Sequence, residues 1–523
     1  MIILHFKKIL FNMKNFKSAV ILLLLPLIWS GCNNEINSNT AASNSTNSGD
    51  DSSDFVENTT WDSQISIVWN ETDVSISGNA NGVSVTASDG YVVINSTAKG
   101  VEYSLSGSGK GQLSIYSSYK FKLSLSDLTL SCSDGPAVNN QCKKTCYVVL
   151  SGTNTLSDGS SYASSTEDRK AALFSEGQCV FSGAGSLSVT GNYKHALASD
   201  DYIRMRSGSI NLTSKVSDGM HANDGIIIDD GSLIINAAGE GMQCDSSSVV
   251  ITGGTINITS SGDKGILAYA NISISGGDIS IKSRYKCIKT ESNLSISGGS
   301  IIAIATGSSS SSGTPEGIEA KGTISISGGM VYAQSSDDAI NSGGEMTISG
   351  GCVMAYSTGN DGLDANGNCY IKGGVVYAVG SSSPEVGIDA NTEGGYKLYI
   401  QGGTIVAIGG IENNASLLQS CYSTGSSSGG GHPGGGNSSN SWSANTWYAL
   451  TAGDTTFAFK TPSNGGNGLV ISSPSTPTLT SGVTATGSSI FNGMGFYPAT
   501  VSGGSSVSLN SYSGNNGGGP GGR

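Results

Sequence analysis

Six carboxylates gather over four consecutive repeats in the last third of the chain: Glu316, Glu319, Asp338, Asp361, Asp364 and Asp389. Each stands at the first or fourth place of a short segment of the form Asp/Glu-Gly-Ile-x-Ala: EGIEA at 316, DAINS at 338, DGLDA at 361 and VGIDA at 386. Like charges held about 5 Å apart repel by about 1 kcal/mol in water, and by several times more at lower effective dielectric. A hard divalent cation removes that cost, and Ca²⁺ takes carboxylate and amide oxygens of this kind. A second acidic group, Asp200, Asp201, Asp224 and Asp245, follows the Ala place in three earlier repeats and is the other candidate calcium site. The alternative for both groups is a solvated acidic corner that keeps the protein soluble and monomeric.

Other chemistry is sparse. No P-loop or HExxH motif occurs, and the GxSxG match, GSSSG at 425–429, lies in a Gly/Ser-rich stretch; only four histidines are present. His221, close to Asp218 and Asp224, is the one histidine with carboxylate neighbours in sequence, and a structural role suits it best. Opposite charges in adjacent repeats, Lys194–Asp218, Glu240–Lys264 and Lys286–Glu316, are placed to meet as surface ion pairs worth about 0–1 kcal/mol each. An outward stripe follows each Gly-Gly turn and includes Ile302, Tyr332, Met354, Tyr377 and Val406. Tyr332 and Tyr377 lie two repeats apart, about 10 Å, close to the reach of a disaccharide. Their amphipathic rings suit sugar stacking; cover by another part of the chain is the alternative, which Ile302 and Val406 favour.

These residues must be positioned by the repeat itself. After Asp/Glu-Gly-Ile-x-Ala comes Ile-x-Ile-x-Gly-Gly and then x-Ile-x-Ile, recurring every 22 to 25 residues from Lys170 onward except for a 30-residue step from 286 to 316, where a serine run inserts. Alternation of period two puts Ile324, Ile326, Val331 and Ala333 on one face and Ser325, Ser327 and Tyr332 on the other. No single unit can bury its apolar face, and no helical segment is available to cover it. Stacking the units as coils of an all-β parallel β-helix solves both problems, with like residues forming ladders down a narrow core. A β-propeller needs blades of about 40 residues, too long for this unit.

The expected layout follows. Residues 1–32 read as a lipoprotein signal peptide, 33–54 as a polar linker, and 55–410 as the β-helix with an irregular N-terminal cap. Residues 411–446 are a Gly/Ser-rich insertion, 447–507 a small β module at the far end, and 508–523 a Gly-rich tail. In the leader, basic residues precede an apolar run of about eleven residues and then Ser30-Gly31-Cys32. The run is too short for a membrane span. Small residues before a cysteine are placed as in bacterial lipoproteins, so Cys32 is the expected lipidation site. That puts the protein in the outer membrane or at the cell surface, touching the membrane only through its lipid. Nine of the ten cysteines follow Cys32; an odd number cannot pair completely, Cys132, Cys142 and Cys146 are close enough to include one bridge, and Cys244, Cys352 and Cys369 sit at small apolar places. The chain has 523 residues, 76 of them Gly, and a net charge of −13 with no basic block. That composition excludes nucleic acid as a natural partner and repels an anionic polysaccharide unless a metal mediates the contact.

The DGIxA…IxISGGxIxI repeat, the lipoprotein-like leader and the ending TTFAFKTPSNGGNGLVISSPS together resemble a family of bacterial cell-surface carbohydrate-binding β-helix proteins. The resemblance spans roughly residues 130–505 and implies a pectate-lyase-like, right-handed parallel β-helix that binds extracellular polysaccharide such as cellulose or pectin, with Ca²⁺ and no established catalytic machinery. By position it matches Asp361, Asp364 and Asp389 to the family's acidic corner; Lys264, Lys286 and Val386 depart from an acid there. The expectation is therefore a lipid-anchored protein that holds polysaccharide with calcium. Its rivals are a calcium-dependent polysaccharide lyase using Lys286 or Lys289 as base, and a non-enzymatic adhesin or scaffold.

Overall fold

Each repeat supplies three short strands, and each strand pairs in parallel with its counterpart one coil on. The coil at 363 shows the pattern with Leu363–Ala365, Cys369–Ile371 and Val375–Val379. Met346–Ile348 pairs in register with Cys369–Ile371, which pairs in turn with Leu398–Ile400. Extended over the chain, this gives a parallel β-solenoid of about 12 turns. The computed structural model describes residues 52–308, 313–424 and 441–514, all within one compact unit spanning Asn47–Arg523. The leader with Cys32, the linker up to residue 51, most of the Gly/Ser-rich insertion and the end of the tail lie outside the described residues.

The core is a set of ladders. Ile272, Leu294, Ile324, Met346, Cys369 and Leu398 follow one another down one wall, each at most 1% exposed. Burying each such side chain contributes about 1.5–3 kcal/mol, and the repeat supplies one at every coil. All nine described cysteines are free thiols. Cys146 and Cys179 are direct ladder partners in neighbouring coils yet remain unbridged, so these cysteines fill the core as small apolar side chains.

The Gly-Gly corner has a steric cause. The second glycine takes a left-handed backbone, as at Gly351 (φ +78°) and Gly374 (φ +82°). A Cβ on Gly351 would lie 2.7 Å from the Gly329 carbonyl oxygen one coil back. Gly351→Ala is therefore expected to cost about 2 kcal/mol or more, seen as a lower midpoint in denaturant with an unchanged slope.

Register differs from the sequence alignment in the early coils by one residue. Leu197 pairs with Met220 and Ala198 with His221. Ala171 and His195, rather than Lys170 and Lys194, therefore occupy the first place of their repeats. Inward alternation decides this, because a one-residue slip would turn Leu197 out of the core. The expected Lys194–Asp218 pair is replaced by His195–Asp218.

Both ends are closed. Antiparallel hairpins join Ser63–Glu71 to Asp73–Ser77 and Val83–Ser88 to Tyr91–Ser96 before the parallel ladders begin. Trp69, 1% exposed, plugs this end and donates its Nε1–H to the Gly90 carbonyl at 2.9 Å. At the far end Leu469–Ser472 pairs antiparallel with Thr404–Ile408 and with Cys421–Ser423, while Trp447–Ala452, Thr455–Lys460, Pro477–Ile490 and Gly495–Val507 close into a four-stranded antiparallel barrel that packs on the side of the last coils rather than over their end.

Candidate functional site

An aspartate at the first place of the repeat accepts a backbone N–H from the next coil. Asp218 Oδ1 accepts from Glu240 N–H at 3.1 Å, Asp338 Oδ1 from Asp361 N–H at 3.1 Å, and Asp361 Oδ1 from Val386 N–H at 2.5 Å. His195 Nδ1 takes the same part toward Asp218 N–H at 3.3 Å. Repetition of an acid here thus has a structural cause, because it satisfies a corner amide that no ladder reaches.

The six carboxylates of the last third divide into two environments. Glu316 and Glu319 face lysines: Lys286 Nζ lies 2.8 Å from Glu316 and 3.1 Å from Glu319, Lys289 Nζ lies 3.2 Å from Glu319, and Lys321 also pairs with Glu319. Burial works to raise Glu319, but the Lys321 hydrogen bond and the charges of Lys286 and Lys289 outweigh it and hold the carboxyl below its ordinary value. Removing Lys286 would leave Glu316 as a buried carboxylate without a paired cation. These two glutamates are already neutralised by the protein.

Asp338, Asp361, Asp364 and Asp389 have no such cover. Asp361 stands one coil from Asp338, and Leu363 bridges to Ile388, which sets Asp364 beside Asp389. Burial, reinforced by neighbouring carboxylates, pushes Asp338 up to about 8, Asp361 to about 9, Asp364 to about 7 and Asp389 to about 8. Asp338 and Asp361 are only 6% and 8% exposed. Asn341 donates to Asp338 at 3.2 Å, and Asp389 meets Glu412 one coil further. No ammonium or guanidinium is among the groups acting on these four among the described residues. Buried carboxyls that repel one another and offer only oxygen donors fit a hard cation by chemistry.

The second acidic group is dispersed. Lys170 pairs with Asp200 at 2.5 Å, Gln178 donates to Asp201 at 2.5 Å, Ser246 donates to Asp224 at 3.0 Å, and Gln243 donates to Asp245 at 2.6 Å. Asp200 and Asp245 share a column with Asn223 between them, whereas Asp224 falls in the next column beside Asp201. They do not converge.

His221 belongs to a separate buried cluster. Asp218 Oδ2 lies 2.9 Å from His221 Nδ1 and 3.2 Å from His195 Nδ1, and the two rings stack at 4.3 Å with 24° between planes. Burial alone would raise Asp218; the His195 and His221 rings beside it reverse this and hold it far below the usual carboxylate range. Burial pushes His195 below its ordinary value. Both Nδ1 atoms face one Asp218 oxygen, so the cluster clasps neighbouring coils and brings three possible metal donors within 4.8 Å of one another.

Tyr332 and Tyr377 present no open ring face, which corrects the expectation that they stack on sugar. They are 5% and 0% exposed. The C-terminal barrel sits on their stripe: Tyr377 packs against Phe457, Phe459 and Phe491 and donates its hydroxyl to the Lys460 carbonyl at 3.0 Å. Outward alternation places these rings correctly, and a second module covers them.

A profile of carbohydrate-binding domain-containing proteins matches residues 88–362, which is the solenoid from its first coils to the middle of the acidic run, with Asp338 and Asp361 inside the match and Asp364 and Asp389 beyond it. No curated protein matches the chain. Among solved structures it is similar to the polysaccharide lyase-like protein from C. thermocellum (gadolinium derivative), at 20% identity over 50% of this chain and 97% of that one, with a TM-score of 0.37. With more than half its length matched, the chain belongs to the family of carbohydrate-binding domain-containing proteins.

Proposed function

We propose that this protein is an exported, lipid-anchored binder that holds polysaccharide at a cell surface, with Ca²⁺ at the carboxylate run of Asp338, Asp361, Asp364 and Asp389. The observation that supports the reading most directly is that run itself: four acids crowded on a solenoid of a carbohydrate-binding family, with no salt bridge to a lysine or arginine among the described residues. Calcium there would supply charge neutralisation and open coordination positions for sugar oxygens. Asp361 and Asp338 would keep their hydrogen bonds to backbone amides through the oxygen facing the next coil. The anchor at Cys32 rests on the leader sequence.

A lyase reading finds less support, because its bases are occupied. Lys286 bonds to Thr314, Glu316 and Glu319, and Lys289 pairs with Glu291 and Glu319. A glycan array with the purified chain, run in Ca²⁺ and again in chelator, tests the proposal. Retention of polysaccharide that weakens on chelation is the expected result; retention of no glycan in either condition would remove the reading.

A further inference from the structure

The first coils carry a charge pattern opposite to that of the acidic corner. Two places before the strands Val101–Lys110, Phe121–Ser131 and Cys146–Ser151 stand Lys99, Tyr119 and Lys144, one per coil. One place nearer the strands, the column reads Gly100, Lys120 and Thr145, flanked by Asp62 and Gln178 from the coils on either side. Backbone bonds hold these corners in register: Ser63 N–H to Gly100 O at 3.2 Å, Phe121 N–H to Thr145 O at 3.2 Å and Cys146 N–H to Gln178 O at 2.8 Å. Together with Thr59 and Thr60 these residues line an open cleft of about 510 Å³.

The lysines of the cleft stand apart from their neighbours. Lys122 pairs with Glu102 at 2.8 Å and Lys143 with Glu176 at 3.9 Å, whereas among the described residues no salt bridge reaches Lys99, Lys120 or Lys144. Lys99 Nζ sits 4.9 Å from the centre of the Tyr119 ring, and Lys120 Nζ bonds the Tyr147 hydroxyl at 3.3 Å. Tyr119 is 39% exposed. In a chain with 39 acidic and 26 basic residues, three lysines beside a single carboxylate, Asp62, form a local inversion of charge in this cleft. Lys99 and Lys144 are two coil steps apart, about 10 Å, which matches the span of two sugar rings.

We propose that this cleft binds an anionic saccharide chain without metal, the sugars running along the coil axis. Lys99, Lys120 and Lys144 meet its acid groups, the Tyr119 ring packs against a sugar, and Asp62 with the threonine hydroxyls takes neutral hydroxyls. The proposal rests on the carbohydrate-binding reading and adds the charge of the ligand and a second place for it.

Calorimetric titration of the full chain in chelator tests it. The probes are a trimeric oligouronate, its methyl-esterified form and a sulfated trisaccharide, with a panel of neutral oligosaccharides alongside. Binding of the oligouronate or the sulfated probe is expected in chelator and identifies which acid group the lysines read. It should weaken as NaCl rises from about 50 to about 500 mM, and fall at least about ten-fold in Lys99→Ala/Lys144→Ala, a change of two exposed side chains. The methyl ester should bind at least about ten-fold more weakly than the oligouronate. Equal affinity in the double variant, equal affinity for the ester, or binding only with Ca²⁺ would overturn the proposal. Neutral sugars bound while both anionic probes are refused would overturn it alone, and refusal of every saccharide would overturn the carbohydrate reading with it.

Discussion

Asp361→Asn with Asp364→Asn is expected to stabilise the protein in chelator at pH 8 and to abolish its stabilisation by Ca²⁺. The folded-state values of the acidic run lie above those of unfolded aspartates, at about 7 to about 9. The folded state therefore holds more protons than the unfolded chain between these limits. Stability from these groups is fully present below about pH 4 and is lost as pH rises through the folded values. In chelator the melting temperature of the wild type should accordingly fall by about 3–6 °C between pH 5 and pH 9. The double variant loses two of the four charges while an amide oxygen can still accept the Val386 N–H that Asp361 now accepts. At pH 8 it should gain about 2–4 kcal/mol over the wild type in chelator, a figure reduced from the full shift because Asp364 is half-buried and the groups are not independent.

Calcium should reverse the order. At about a hundred-fold excess over the dissociation constant a single bound ion adds about 2.7 kcal/mol to the wild type, and nothing comparable to the variant. Thermal melts at several pH values, with and without Ca²⁺, check both halves. Identical melting of the wild type in calcium and chelator would sink the metal site, and a melting temperature independent of pH would sink the account of the carboxyls.

Tyr377→Ala is expected to detach or loosen the C-terminal barrel and to cost about 3–5 kcal/mol. The ring is fully buried among Phe457, Phe459 and Phe491, and its hydroxyl bonds Lys460 across the seam between solenoid and barrel. Truncation leaves a cavity and an unsatisfied carbonyl at that seam. Tyr377→Phe keeps the packing and removes only the hydrogen bond, so about 1 kcal/mol is expected. Proteolysis in the 447–507 region should accelerate in the alanine variant well before the solenoid melts. Glycan retention at a temperature where both proteins are folded should be unchanged, since the ring faces no solvent; a selective loss of retention would show that Tyr377 contacts sugar.

Much of this architecture was legible in the residues. Period-two alternation, Gly-Gly pairs and a unit of two dozen residues leave stacking as the one way to bury Ile324 and Ile326, and coordinates show that stack. The sequence alone misplaces the register by one at Lys170 and Lys194 because those coils have Ala171 and His195 where later coils have an acid, and the lysine one place earlier imitates the charged residue of the motif. Tyr332 and Tyr377 show a second limit. Alternation tells which side of a strand a residue faces, but says nothing about which distant segment lies against that side. The division of the acids also needed three dimensions, since Lys321, which meets Glu319, follows the repeat motif and lies outside both columns. The lysine cleft was invisible for a different reason: it lies in the irregular first coils, where no repeat indicates which residues are neighbours.

Where the first place holds an aspartate or His195, its side chain holds an amide of the next coil and makes its own coil the template for that successor. His195 seats residue 218, Asp218 seats 240, and Asp361 seats 386. A scaffold assembled this way changes length only in whole increments. Duplicating one complete coil within the gene would move the basic cleft and the acidic corner apart by about 4.8 Å and leave each locally intact. The protein is thus a ruler graduated in coils, on which the separation of the two proposed binding stations would be tuned to the spacing of groups along a polymer.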